Sequence, residues 1–396
     1  MKNQNFLFKF ETKTLICECL CLLAINCFSQ RTDTLSIKSN ILYEQRKLVV
    51  YTPADYVYDT TKKYEVIFVF DAQAREIFDM VTATMAFKNN GICPMMVVGV
   101  LSSDRNKDFL PLNEYNETAD TYHGHLGNAD SFLLFISNEV IPRVDKSYRT
   151  LPKRIAVGHS NGGTFISYCL LKQPTLFDAY IAISPNFGYD KMQFVKRFQK
   201  FNQKNLSSEK FFYMCNSKGY PEEGDWIPAR NQITNVFRSE PFKQKIHFKM
   251  DDFSATETHW SVFQIGVLNG LKEYFNYQYF NTDNLLKYYN TLYKQNLINL
   301  NPQNINQLAY NFFYLGKTND ALKILLWAHK LFPKDLNLFD SIGEMYQNLN
   351  NKDDAKKYYV LLDQEIDEQK QSLKPDDYQQ LKKGVQDRLS SLSDKK

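Results

Sequence analysis

The segment RIAVGHSNGG, residues 154 to 163, runs from a β-branched stretch through Gly158-His159-Ser160-Asn161-Gly162 into an apolar helical run from Thr164 to Leu171. This is a G-x-S-x-G pattern in the setting of strand, sharp turn and helix. Such a turn holds the hydroxyl of Ser160 on a strained backbone and needs glycines where neighbouring backbone passes close. It also aims the amide of Asn161, at the start of a helix, toward any carbonyl oxygen that gains negative charge there. The chemistry is nucleophilic attack by serine, a weak nucleophile until a base removes its proton.

That base is sought among six histidines. His159 lies inside the turn, where its side chain must point away from the nucleophile. His123 and His125 occupy a glycine-containing loop, His247 lies within a strand, and His329 belongs to a later helical region. His259 remains: it follows the last strand by the loop Asp251 to Thr258 and opens a helical run from Trp260, which places it at the strand ends beside Ser160. A carboxylate that orients the imidazole is sought between Cys215 and Pro228, where the candidates are Glu222, Glu223 and Asp225.

The elements that must position these groups are legible as apolar runs alternating with helical patterns between about residues 35 and 280. Strands are expected at Lys47 to Tyr51, Val66 to Phe70, Met95 to Val100, Arg154 to Val157, Ala179 to Ile183, Phe211 to Cys215 and Ile246 to Met250. Helical spacing is clearest at Asp130 to Val144, where Phe132, Phe135, Ile136, Val140 and Val144 share a face, and at Trp260 to Phe275. This alternation predicts a mostly parallel sheet with helices on both faces. After Asn281 helix follows helix, and residues 34 apart match: Leu308 with Ile342, Phe312 with Tyr346, Leu315 with Leu349, Ala321 with Ala355, Trp327 with Leu361. That period resembles tetratricopeptide repeats, with a small Ala at each tight crossing and Pro333 closing the first unit.

Residues 1 to 29 combine a basic start with the apolar LICECLCLLAINCFS and read as a secretory signal peptide cleaved after Ser29. The expected domains are therefore 1–29 as signal, 30–280 as the α/β domain and 281–396 as the helical-repeat domain, in a secreted or periplasmic protein whose mature chain has no membrane span. Of seven cysteines, Cys93, Cys169 and Cys215 remain after cleavage; each lies in or beside an apolar run, and no metal-type spacing survives. No metal or other cofactor is expected. A net charge of +4 is too small to argue for nucleic acid as a partner.

Taken together, LYEQRKLVVYTPADY, YEVIFVFDAQ, VVGVLSSDRNKDFLP, NADSFLLFISNEVIPRVDKSYRT, RIAVGHSNGG, PTLFDAYIAISPNFGYD and ETHWSVFQIGVLNGLKEYF resemble the esterase D, or putative esterase, family of α/β hydrolases. The family includes enterobactin and bacillibactin esterases, feruloyl esterases and mycolyltransferases, and the resemblance covers most of residues 36 to 278. It implies an α/β-hydrolase fold and serine hydrolysis of a carboxylic ester on a small-molecule or glycan-linked substrate. Ser160 is then the nucleophile, His259 the base and Glu223 the acid. The acid of similar sequences lies a short stretch before the first apolar position of the following helix, here Ile233; Asp225 is the alternative and Glu222 the third choice. The resemblance also implies a second oxyanion donor after Phe70, the amide of Ala72 or Gln73, beside that of Asn161. Arg105 and Asp108 match a loop at the mouth of the site, where Arg105 either contacts substrate or pairs with Asp108 to hold the loop. Because the family embraces inactive relatives and acyltransferases, the competing functions are a scaffold that recruits a protein or peptide through the repeats, and acyl transfer.

Overall fold

The computed structural model describes residues 31–88, 95–122, 124, 127–219 and 224–393. The expected signal segment, Cys93, His123, His125, Glu222 and Glu223 lie outside the described residues. The chain divides into two compact units, with the division at Gly270 and Leu271, inside the helix Val262–Gln278.

The first unit is built on eight strands: β1 Arg31–Lys38, β2 Gln45–Thr52, β3 Tyr64–Phe70, β4 Met95–Val100, β5 Thr150–His159, β6 Ala179–Ile183, β7 Lys210–Asn216 and β8 Ile246–Asp252. Their order across the sheet is β1-β2-β4-β3-β5-β6-β7-β8. The pairings β1 with β2 and β2 with β4 are antiparallel, and every later one is parallel. This is the α/β-hydrolase arrangement, a mostly parallel sheet with flanking helices.

The sequence explains the layering. Strand β3, YEVIFVF, and strand β7, KFFYMCN, are buried along their whole length, as continuous apolar runs covered on both faces must be. On the predicted helical face Phe132, Phe135, Ile136, Val140 and Val144 are all buried, although the regular helix is interrupted at Ile136–Val140 by a wider π turn. The helix that follows the His259 loop lies very close to the sheet: a Cβ on Gly270 would stand 2.6 Å from the Ile181 side chain. At the sheet margin Arg46 forms a two-pronged ion pair with Asp108, at 2.7 and 2.9 Å, and Ser102 Oγ donates to the same carboxylate.

The second unit is all helical. Helices Pro302–Tyr314 and Thr318–Leu331 form one hairpin, and Leu336–Asn348 and Lys352–Glu368 form the next. Equivalent positions do equivalent work: Leu308 and Ile342 are buried, as are Ala321 and Ala355 at the crossings. Tyr310 donates to Glu344, its counterpart 34 residues on, at 2.7 Å. Asn281, Asn301, Asp335 and Asn351 each cap the helix that follows them through a side-chain oxygen.

Candidate active site

Three adjacent strands end in left-handed backbone on the same side of the sheet. Asp71 follows β3 at φ 71°, Ser160 follows β5 at φ 58°, and Ser184 follows β6 at φ 44°. None of them is glycine, so each turn stores strain of about 1 kcal/mol or more, held by the surrounding hydrogen bonds. Ser160 is anchored on both sides, its amide donating to Ile183 and its carbonyl accepting from Thr164 and Asn186. Gly158 is required for this turn: a Cβ there would stand 2.3 Å from the carbonyl oxygen of Gly162, a backbone atom that cannot yield.

His259 is brought to the same end by a loop stitched to the end of β7. The amide of Phe253 donates to Asn216, the amide of Lys218 donates to Glu257, and Lys218 bridges Thr258. His259 is 5% exposed. Its ring packs against His159, with centroids 4.6 Å apart, and edge-on against Trp226 at 5.2 Å. Its Nδ1 lies 3.0 Å from Ser184 Oγ, and Ser184 Oγ lies 2.6 Å from Ser217 Oγ.

His159, placed in the sequence only as a residue that points away from the nucleophile, has a structural task. Its Nε2 stands 2.7 Å from the carbonyl of His259. A carbonyl only accepts, so this nitrogen carries the proton. The side chain thus fastens the backbone of one histidine through the ring of another.

Burial pushes His259 down to about 3, helped by His159, Arg230 and Arg105; burial likewise pushes His159 down to about 4, helped by Arg105 and Arg230. Both rings are neutral near pH 7. The unfolded chain, with histidines near 6.5, therefore binds protons first as pH falls. Stability is retained above that value and is lost below it, by about 1.4 kcal/mol per histidine per pH unit until the folded values are reached. The urea midpoint of the purified protein is expected to fall steadily between pH 6.5 and 4.5, and less steeply in His159→Asn. Parallel slopes for the two proteins contradict this assignment.

The remaining expected residues are placed as follows. The Asn161 side chain is locked between Asn106 and Asn186, and Asn186 in turn donates to Tyr122. The amide of Asn161 opens the helix Asn161–Lys172. Ala72 is corrected as a candidate donor because its amide already donates to the carbonyl of Val100. Gln73 is held through its side chain, which donates to Asp71 and accepts from the amide of Ser102. The pairing of Arg105 with Asp108 is also corrected. Arg105 grips the buried carboxylate of Asp71 with two bonds, at 2.6 and 2.9 Å, while Asp108 belongs to Arg46. Asp225 is exposed at the N-cap of the helix Trp226–Arg238, and its neighbour Trp226 is the residue that packs on His259. His247 stacks on Phe211, and His329 packs on Phe339 in the helical unit. Cys169 and Cys215 are buried and unbridged. Among the described residues no cluster is suited to a metal ion, and no helix is long and apolar enough to cross a membrane.

A sheet in this order, with a strained serine after β5 and a histidine after β8, has the arrangement of the α/β-hydrolase fold. Residues 39–226 match the family model described as Putative esterase. Ferri-bacillibactin esterase BesA of Bacillus subtilis is 28% identical over 155 residues, which cover 35% of this chain and 53% of that protein. A siderophore enterobactin esterase of Emericella nidulans is 35% identical over 80 residues, 19% of this chain and 26% of that one. The chain thus spans about half the length, or less, of these curated relatives. Among solved structures, an IroE-like serine hydrolase of Shewanella oneidensis superposes with a TM-score of 0.59 at 22% identity, covering 76% of this chain and all of that one. An uncharacterised protein of Capnocytophaga ochracea does so with a TM-score of 0.57 at 17% identity, covering 92% of this chain and all of that one.

Proposed function

We propose that the protein is a secreted or periplasmic serine hydrolase of carboxylic esters. The observation that carries this reading is the strained Ser160 turn between β5 and its helix, at the sheet end where the buried, neutral His259 is also held. Ser160 Oγ attacks the ester carbonyl while His259 Nε2 takes its proton. The oxygen that becomes negative is received by the amides of Asn161 and Gln73. The alcohol leaves with the proton from Nε2, and water, deprotonated by the same nitrogen, releases the acid from the acyl-enzyme. Glu223, with Asp225 as alternative, is the acid expected from the resemblance.

The names of the relatives direct the choice of substrate toward siderophore esters. Trp260 is 63% exposed beside the histidine pair and Arg105 is partly exposed, offering an aromatic face and a cation at the mouth. We read the two hairpins of the helical unit as tetratricopeptide-type repeats that receive a protein or peptide partner.

A fluorophosphonate probe should label the intact protein on Ser160, located by peptide mass spectrometry, and labelling should vanish in Ser160→Ala. Hydrolysis of trilactone, feruloyl, acetyl and short acyl esters, with that variant as blank, then ranks the substrates. Absence of labelling on the folded wild type supports the scaffold reading, and acylated acceptor among the products supports acyl transfer.

A further inference from the structure

We propose that the short helix Arg105–Phe109 is a clamp that positions both oxyanion donors, with Arg105 holding and neutralising the Asp71 loop and Asn106 holding Asn161. This deepens the serine-hydrolase reading and rests on it. Strands β3 and β4 run parallel with Phe70 beside Val100, so the loops that leave their ends meet. The helix follows β4, and Asp104 starts it by accepting from the amides of Asn106 and Lys107. From its first two residues one side chain reaches toward each donor. Arg105 makes two bonds to Asp71, at 2.6 and 2.9 Å, and Asn106 accepts from the Asn161 side chain at 3.0 Å. Behind them Gln73 is held from two sides: its side chain donates to Asp71 at 2.7 Å and accepts from the amide of Ser102 at 2.9 Å.

The charges support the assignment independently. Asp71 is buried, and a Cβ on Gly162 would stand 3.2 Å from its Oδ2, so the carboxylate lies against the first turn of the helix Asn161–Lys172. That helix end favours negative charge, and it is also where the ester oxygen becomes negative. A bare carboxylate at this place repels the oxyanion, and burial makes the repulsion strong. The fork of Arg105 cancels the charge. Being planar and two-pronged, it also fixes the left-handed turn at Asp71, two residues before the Gln73 amide. A lysine would supply the charge without the fork. Arg105 and Asn106 are thus positioning residues, and they act on the two donors from one rigid piece of backbone.

In the full-length protein Arg105→Ala should lower kcat on a small neutral ester about a hundredfold with KM changed less than about threefold, the order of loss expected when an oxyanion donor is displaced. Adding Asp71→Asn to Arg105→Ala should restore kcat by about tenfold or more, because asparagine tolerates the left-handed turn and removes the uncompensated charge. Arg105→Lys should fall between the wild type and Arg105→Ala. Asn106→Ala should cost about tenfold, the equivalent of one neutral hydrogen bond. The readout specific to the oxyanion is inhibition by a trifluoromethyl ketone. Ser160 Oγ adds to its carbonyl carbon, the hydroxyl proton passes to His259, and the carbonyl electron pair moves onto the oxygen. The inhibition constant should weaken by the same factor as kcat/KM in each variant, which loss of stability alone does not produce. A raised KM with kcat kept assigns Arg105 to the substrate and overturns the clamp. So does a double variant that recovers nothing, or ketone affinity that is unchanged in Arg105→Ala. If Arg105→Ala does not fold, Asn106→Ala, which strands no charge, carries the ketone test. Fluorophosphonate labelling of the wild type separates the cases: labelling of Ser160 with a failed clamp leaves the hydrolase reading intact, whereas no labelling removes both.

Discussion

Ser160→Ala should reduce kcat on a small ester by roughly four to six orders of magnitude, the loss expected when one member of a nucleophile and base pair is removed. His259→Ala should fall in the same range, and the double variant should be hardly worse than either single one, because each group is useless to the chemistry without the other. The residual rate in Ser160→Ala measures what binding and the donors Asn161 and Gln73 supply alone. A Ser160→Ala protein with more than a hundredth of the wild-type turnover refutes the assignment of the nucleophile.

The second large effect concerns stability. Asp108→Ala should destabilise the hydrolase unit by about 3–5 kcal/mol in urea unfolding, because it strands a buried guanidinium. Arg46 and Asp108 are 3% and 1% exposed, and their two bonds are supplemented by Ser102 on the acid and by Phe132, whose ring faces the guanidinium. After the substitution Glu44, which is partly exposed, is the charged partner left to Arg46 among the described residues. The control is the pair Arg75 and Asp79, about half exposed at both ends. Removing Asp79 should cost no more than about 1 kcal/mol, since a solvated pair gains little. Equal losses for the two substitutions contradict the argument from burial.

Much of the fold was legible because it depends on composition over several residues. The strands from β2 to β8 were visible as apolar runs, since strands covered on both faces admit few polar residues. Strand β1, RTDTLSIK, was missed because it lies at the sheet edge, and mostly polar residues with a single buried Ile37 give little signal. The turn at Ser160 was legible because glycines on both sides of it report a close approach of backbone. The ion pairs were not: Arg105 lies three residues from Asp108, yet pairs with Asp71, which only the parallel register of β3 and β4 brings near. Ser184 and Ser217 gave no signal at all. Serine after a strand is ordinary, and its significance arises when adjacent strands end at the same level.

The bond from Tyr310 to Glu344 has a consequence for how the gene can change. It joins like positions of successive hairpins, whose first helices begin at Pro302 and Leu336 and whose second helices begin at Thr318 and Lys352. Each hairpin presents the same face to its successor, so the stack has a phase, and its length is a free variable in a way that the sheet's is not. Duplicating the stretch from one helix start to its equivalent keeps every buried alanine opposite a crossing and lengthens the array by one step. Duplicating half of that stretch sets first helices where second helices belong and exposes Leu308 or Ile342 to water. Size variation in this part of the molecule should therefore come in whole hairpins, while the hydrolase sheet, whose strand ends must stay level, admits change only in its loops.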